Sequence, residues 1–120
     1  MKKLLLVLSI VAVLSLLAAP ALAAGDMTCD HDSTTIESLH HCVMHAYSDM
    51  HITNKGVANS LMAKLDAAQA AFDRGQTGVA INLLHAFVDE VSAQSGKHIV
   101  AEHATHLMEH AQRVIVALSG

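Results

Sequence analysis

Between residues 36 and 118 the apolar side chains recur at steps of three and four in four successive runs, and no run alternates with period two. Such spacing places them on one face of a helix and excludes half-buried strands. The first run is Ile36, Leu39, Val43, Tyr47 and Met50, and the second is Val57, Leu61, Leu65, Ala68 and Phe72. Ala80, Leu84, Phe87, Val88 and Val91 form the third. Val100, Ala104, Leu107, Ala111, Val114, Ile115 and Leu118 form the fourth. Local punctuation agrees with these runs. Thr34-Thr35-Ile36-Glu37 reads as a capping box, Thr53 or Asn54 caps the second helix, and Arg74-Gly75 and Ser95-Gly96 are stops. Four amphipathic helices joined by short loops predict an all-α fold, a small antiparallel bundle over residues 34–120. With two Phe, one Tyr and no Trp, its core is aliphatic and alanine-rich, so the helices approach closely.

The chain before the bundle sets the compartment. Lys2 and Lys3 precede an apolar run, Leu4 to Leu17, and Pro20 is followed by Ala21-Leu22-Ala23, a small-x-small cleavage pattern. The run is shorter than the roughly 20 residues that span a bilayer, so residues 1–23 read as a bacterial secretory signal peptide. The expected product is periplasmic or secreted, with no membrane attachment after cleavage. Cys29 lies six residues beyond the expected cut, a poor position for lipid attachment. Losing Lys2 and Lys3 leaves five basic residues against eleven acidic ones, which argues against a nucleic-acid partner. Residues 24–33, with Gly25, Asp26, Asp30 and Asp32, read as an exposed tail.

Cys29 and Cys42 are the only cysteines. In an exported domain an even pair most simply forms a disulfide. It would close a loop of about a dozen residues and add ~3 kcal/mol, mostly by restricting the unfolded chain. The competing reading is a thiolate metal site, because Cys42 lies inside His40-His41-Cys42-Val43-Met44-His45.

The stretch Ile52-Thr53-Asn54-Lys55-Gly56-Val57-Ala58-Asn59-Ser60-Leu61 continues through Lys64-Leu65, Ala67-Ala68 and Arg74-Gly75. Ala80-Ile81-Asn82, Ala86-Phe87-Val88, Val91, Ala93-Gln94-Ser95-Gly96-Lys97 and Ile99 follow in order. This series resembles the FIMAH domain over residues 52–118. The resemblance implies a small all-helical module, usually appended to larger exported or surface bacterial proteins, with no agreed catalytic residues. Histidines at 98, 103, 106 and 110 are not recognised features of that family.

Ten histidines outnumber all lysines and arginines together. His103, His106 and His110 lie in the fourth run and span only about 60° of a helical wheel, beside the apolar stripe. Neutral imidazoles at steps of three and four can share one ion, and His106 with His110 is the expected chelating pair. The plainer reading is a polar helix edge without a ligand. His41 and His45 form a second such pair, pointing away from the first stripe: a solvated face, or the source of a further ligand. His40, Met44 and His51 fall together beside that stripe, where imidazole suits zinc or copper and thioether suits Cu(I). Core packing is the ordinary role for Met44. His31, in the tail, either completes a site or has no role, and His85 reads as an exposed partner of Asp89.

His106-Leu107-Met108-Glu109-His110 also spells H-x-x-E-H, the inverted zinc-peptidase motif. Only ten residues follow it, too few for the downstream glutamate ligand of that family, and coincidence accounts for it better. The expectation is therefore a non-enzymatic, His-rich helical protein that binds copper or zinc for buffering, delivery or resistance. The alternative is a FIMAH-like interaction module with no metal, whose partner is another periplasmic or secreted protein.

Overall fold

The first helix, α1 (Ile36–Ser48), starts where Thr35 leaves the extended region and caps it. Thr35 Oγ1 accepts from the Ser38 amide at 3.1 Å, and Ser38 Oγ returns a bond to the Thr35 carbonyl at 2.8 Å. The cap is thus Thr35 rather than Thr34, and the expected box does not form, because Ser38 donates to the Thr35 carbonyl and Glu37 takes no part. Glu37 stays in the first turn, where its charge suits the positive end of the helix dipole. The computed structural model describes residues 29–120, and the expected signal peptide lies outside the described residues.

Asn54 caps α2 (Lys55–Asp73), its Oδ1 accepting from the Val57 amide at 3.0 Å. This helix ends in a Schellman motif. Gly75, at φ 78°, donates to Phe72 O and Gln76 donates to Ala71 O, both at 2.9 Å. After that turn come α3 (Thr77–Gln94) and, beyond a second connection, α4 (Ala101–Ser119). Each helix packs on the next, and α4 closes back on α1, so the four form a ring around one core. Ser38 of α1 meets His110 of α4, while His45 and His103 line one hollow, so these two helices run antiparallel.

The stripes are buried largely as expected. Leu39, Val43, Leu61, Leu65, Leu84, Phe87, Val91, Leu107 and Val114 fill the core, and Ala58, Ala68, Ala104 and Ala111 sit at the helix contacts. Three stripe residues fall outside it. Met50 is 68% exposed because α1 has already ended and the chain turns there through φ 64°. Phe72 is 41% exposed in the last turn of α2, where the buried position passes to Ala71. Val100 precedes α4 as its N-cap and is exposed.

The connections 49–54 and 95–100 are fastened to each other. Thr53 donates to the His98 carbonyl at 2.8 Å and Val100 donates to the His51 carbonyl at 2.9 Å. Ile52 and Ile99, paired across this short antiparallel bridge, are both buried and plug that end of the ring. The clasp carries His51 to the start of α4. Among the described residues, no helix is long and apolar enough to cross a membrane.

Candidate metal centre

Residues 29–33 lie across the seam between α1 and α4, held at three points. Cys29 forms a disulfide with Cys42 in the middle of α1, with Cα atoms 4.6 Å apart. The Arg113 guanidinium donates to the His31 carbonyl, and the Ser33 carbonyl accepts from His110 Nε2 at 2.8 Å. Residues 29–33, the described part of the segment expected as a tail, are therefore largely exposed yet tethered, and the tether lays His31 over α4. Its ring centroid is 5.7 Å from His106 and 6.1 Å from His110.

His110 is the one buried polar side chain among the described residues, with no exposed surface. Its burial follows from the ring: α4 packs on both α3 and α1, so its buried arc is wider than a single stripe. A carbonyl only accepts, so Nε2 carries the proton, and Ser38 Oγ lies 3.1 Å from the same nitrogen. In the neutral ring Nδ1 is then a bare lone pair, and it faces Cys42 Sγ at 3.4 Å. Burial pushes the His110 pKa below the ordinary histidine value, partly offset by the Ser33 carbonyl. The imidazole thus stays neutral, the form that ligates metals.

Beside the disulfide lies a hollow of about 240 Å³ whose walls include His31, His45, His103, His106 and Asp49. His103 stacks on His51 with ring centroids 3.5 Å apart, and its Nδ1 is buried without a hydrogen-bond partner. Desolvation, and next the neighbouring His51 ring, lower the His103 pKa. Cofacial rings this close cannot both aim nitrogens at one ion, so His51 orients His103 rather than joining it. The His103 and His106 centroids are 6.4 Å apart. Two imidazoles on one tetrahedral ion hold their centroids about 5 Å apart, given metal–nitrogen distances of about 2.0 Å. The His106 ring is therefore within about one ångström of the spacing it needs to share an ion with His31 or with His103. Carboxylates flank the set: Asp49 lies 3.3 Å from His45 Nδ1, and Glu102 lies 3.9 Å from His106 Nε2. Such pairs hold imidazole orientation in metal sites.

The remaining sequence candidates lie elsewhere. His40 turns to α2, its Nε2 3.3 Å from Asp66. His41 and Met44 line a separate surface depression that also touches His45. Met44 is 47% exposed and does not pack in the core. His51 lies beyond the end of α1, so it does not share a helical face with His40 and Met44. Within α4 the three histidines divide: His110 faces the core, while His103 and His106 face the hollow. The spacing of the histidines contained no sign of Asp49, or of the docked position of His31. For His31 the available signal was Cys29 two residues earlier, because pairing with Cys42 drags the segment onto α1.

Fold and site together define a small all-helical module with a histidine-lined corner. The FIMAH domain pattern matches residues 36–116, and the chain belongs to the FIMAH domain family. The match takes in α1 as well as the stretch from residue 52 that carried the resemblance. Cys29 and His31 precede the matched span, whereas Cys42, His103, His106 and His110 fall inside it. No curated protein and no solved structure matches the chain.

Proposed function

We propose that this protein is an exported metal-binding module that holds Cu(II) or Zn(II) in the hollow between α1 and α4, serving metal buffering, delivery or resistance. The observation that carries the reading is convergence. His31 from the N-terminal segment, His45 from α1, and His103 and His106 from α4 line one 240 Å³ hollow. Ordinary surface histidines have no reason to gather from three separate segments, and His103 also carries a buried ring nitrogen, Nδ1, with no hydrogen-bond partner. His103 and His106 supply the central pair, His31 the third ligand, and His45 or Asp49 a fourth position. Imidazole ligands suit both ions, and affinity order favours Cu(II) over Zn(II) when both are available. Export is supported by the family, a module of exported bacterial proteins, and by the leader-like residues 1–23. No catalytic role is assigned: of the H-x-x-E-H histidines, His106 lines the hollow, whereas His110 is buried with Nδ1 against Cys42, so the two do not face one ion.

Calorimetric titration of the disulfide-bonded protein with Zn(II) and Cu(II) tests the reading. One ion per chain is expected, and the His103→Ala/His106→Ala double variant should bind at least about tenfold more weakly. Equal affinities for the two proteins would remove the hollow from the site. No binding by either would leave a metal-free interaction module as the better account.

A further inference from the structure

The disulfide is itself surrounded by ligands. Cys29 Sγ, Cys42 Sγ, one ring nitrogen of His31 and one of His110 all lie within 4.8 Å of one another. The two nitrogen–sulfur contacts are His31 Nδ1 to Cys29 Sγ and His110 Nδ1 to Cys42 Sγ, each 3.4 Å. In a tetrahedral zinc site with bonds of about 2.3 Å to sulfur and 2.05 Å to nitrogen, a nitrogen–sulfur edge is about 3.5 Å. Both histidines already sit at that edge length from their cysteines. For His110 the lone pair is also on the correct nitrogen, because the Ser33 carbonyl fixes the proton on the other one.

We propose that reducing the Cys29–Cys42 disulfide converts this cluster into a Cys2His2 site for a zinc-class divalent ion, with Cys29, His31, Cys42 and His110 as its four ligands. The sulfurs need only separate to about 3.8 Å, the sulfur–sulfur edge of the same tetrahedron. Cys29 and His31 sit on a short segment outside the helices, so that opening leaves the bundle unchanged. Cys42 and His110 are buried and positioned by α1 and α4, and give the site its rigid half. Two thiolates neutralise the ion's double charge, which a buried site requires. The chemistry balances. A dithiol reductant passes two electrons and two protons to the disulfide and leaves as its own disulfide, and the ion then displaces two thiol protons to the solvent. A disulfide oxidant that accepts the two electrons, takes two protons from the solvent and leaves as its dithiol reverses the sequence and ejects the ion.

This site is separate from the histidine hollow in its ligands, His31 excepted, and in the oxidation state it needs. The purified protein, reduced anaerobically with a phosphine, is titrated with Co(II) and then Zn(II), beside an oxidised control. The reduced protein should show tetrahedral Co(II) absorption together with sulfur-to-cobalt charge-transfer bands in the near ultraviolet. It should bind Zn(II) about 100-fold or more tightly than the oxidised protein. Cys42→Ser should abolish the charge-transfer bands at that position. His31→Ala, on the exposed segment and harmless to folding, should weaken Zn(II) binding about tenfold or more while keeping thiolate bands. Reduced protein without charge-transfer bands, or with the affinity of the oxidised form, overturns the proposal. Ion binding by oxidised protein alone would refute this site and spare the hollow, and binding by reduced protein alone would do the reverse.

Discussion

Replacing His110 with alanine tests how the seam between α1 and α4 is held. The side chain is fully buried, so its removal leaves a void between the two helices and deletes the bond to Ser33 O. Large-to-small core changes cost about 2–5 kcal/mol, and a lost hydrogen bond about 1 kcal/mol. An imidazole regains hydration on exposure, as leucine does not, and Ser33 is near enough to solvent for its carbonyl to find water. A loss of about 2–4 kcal/mol is therefore expected for the disulfide-bonded protein in a chelator at pH 7.5. The pH profile adds a second signature. Unfolded His110 takes up a proton near its ordinary value of about 6.5, whereas burial holds the folded group below it. Above pH 6.5 neither state is protonated there and the group has no pH effect. Below it the unfolded state binds more protons, so stability falls as pH falls, by at most about 1.4 kcal/mol per unit for this one group. Urea titrations from pH 7.5 to 5 on parent and His110→Ala measure both. The variant should start lower and decline less steeply. Equal stability at pH 7.5, or parallel profiles, would refute the placement of His110 as a buried neutral imidazole.

Leu84→Ala and Leu107→Ala should each cost about 2–5 kcal/mol in the same assay, because both residues are buried at the middle of their helices. Thiol labelling under denaturing, non-reducing conditions should find neither Cys29 nor Cys42 reactive. Reduction should lower stability by about 3 kcal/mol in metal-free buffer, the loop-closure value for a crosslink of this short span. His41→Ala should leave Zn(II) affinity within about twofold of the parent by calorimetry, since His41 lines a different depression from His103 and His106.

How far the sequence could be read differs between scaffold and site. Helical periodicity is local, so the four stripes and the choice of Thr53 or Asn54 as the second cap were legible from neighbouring residues alone, while the first cap fell one residue later than expected, at Thr35. Met50, Phe72 and Val100 were misplaced for one reason: periodicity does not say where a helix stops, and each lies at or past an end. His103 and His106 stood out by spacing together with His110, but the pair expected to chelate, His106 with His110, is split between the hollow and the core. The neighbours of His103 and His106 were not legible, because those arrive through contacts distant in sequence. The loop clasp brings His51, and the disulfide brings His31. His110 looked like a flank residue because one stripe describes one packing partner, and α4 has two.

The closed ring has a consequence for cutting the chain. The turn 74–76 divides the molecule into an α1–α2 half and an α3–α4 half of similar length. Two helix seams cross that division, α2 against α3 and α1 against α4, and the paired loops at Ile52 and Ile99 join the halves a third time. The disulfide lies wholly within the first half, so it does not join the two. Because the other contacts remain, a nick at Gly75 leaves two fragments that remain one particle, and fragments made separately should assemble on mixing. The histidine corner, built from both halves, then becomes the natural reporter of their reunion: neither half alone holds His31 beside His106.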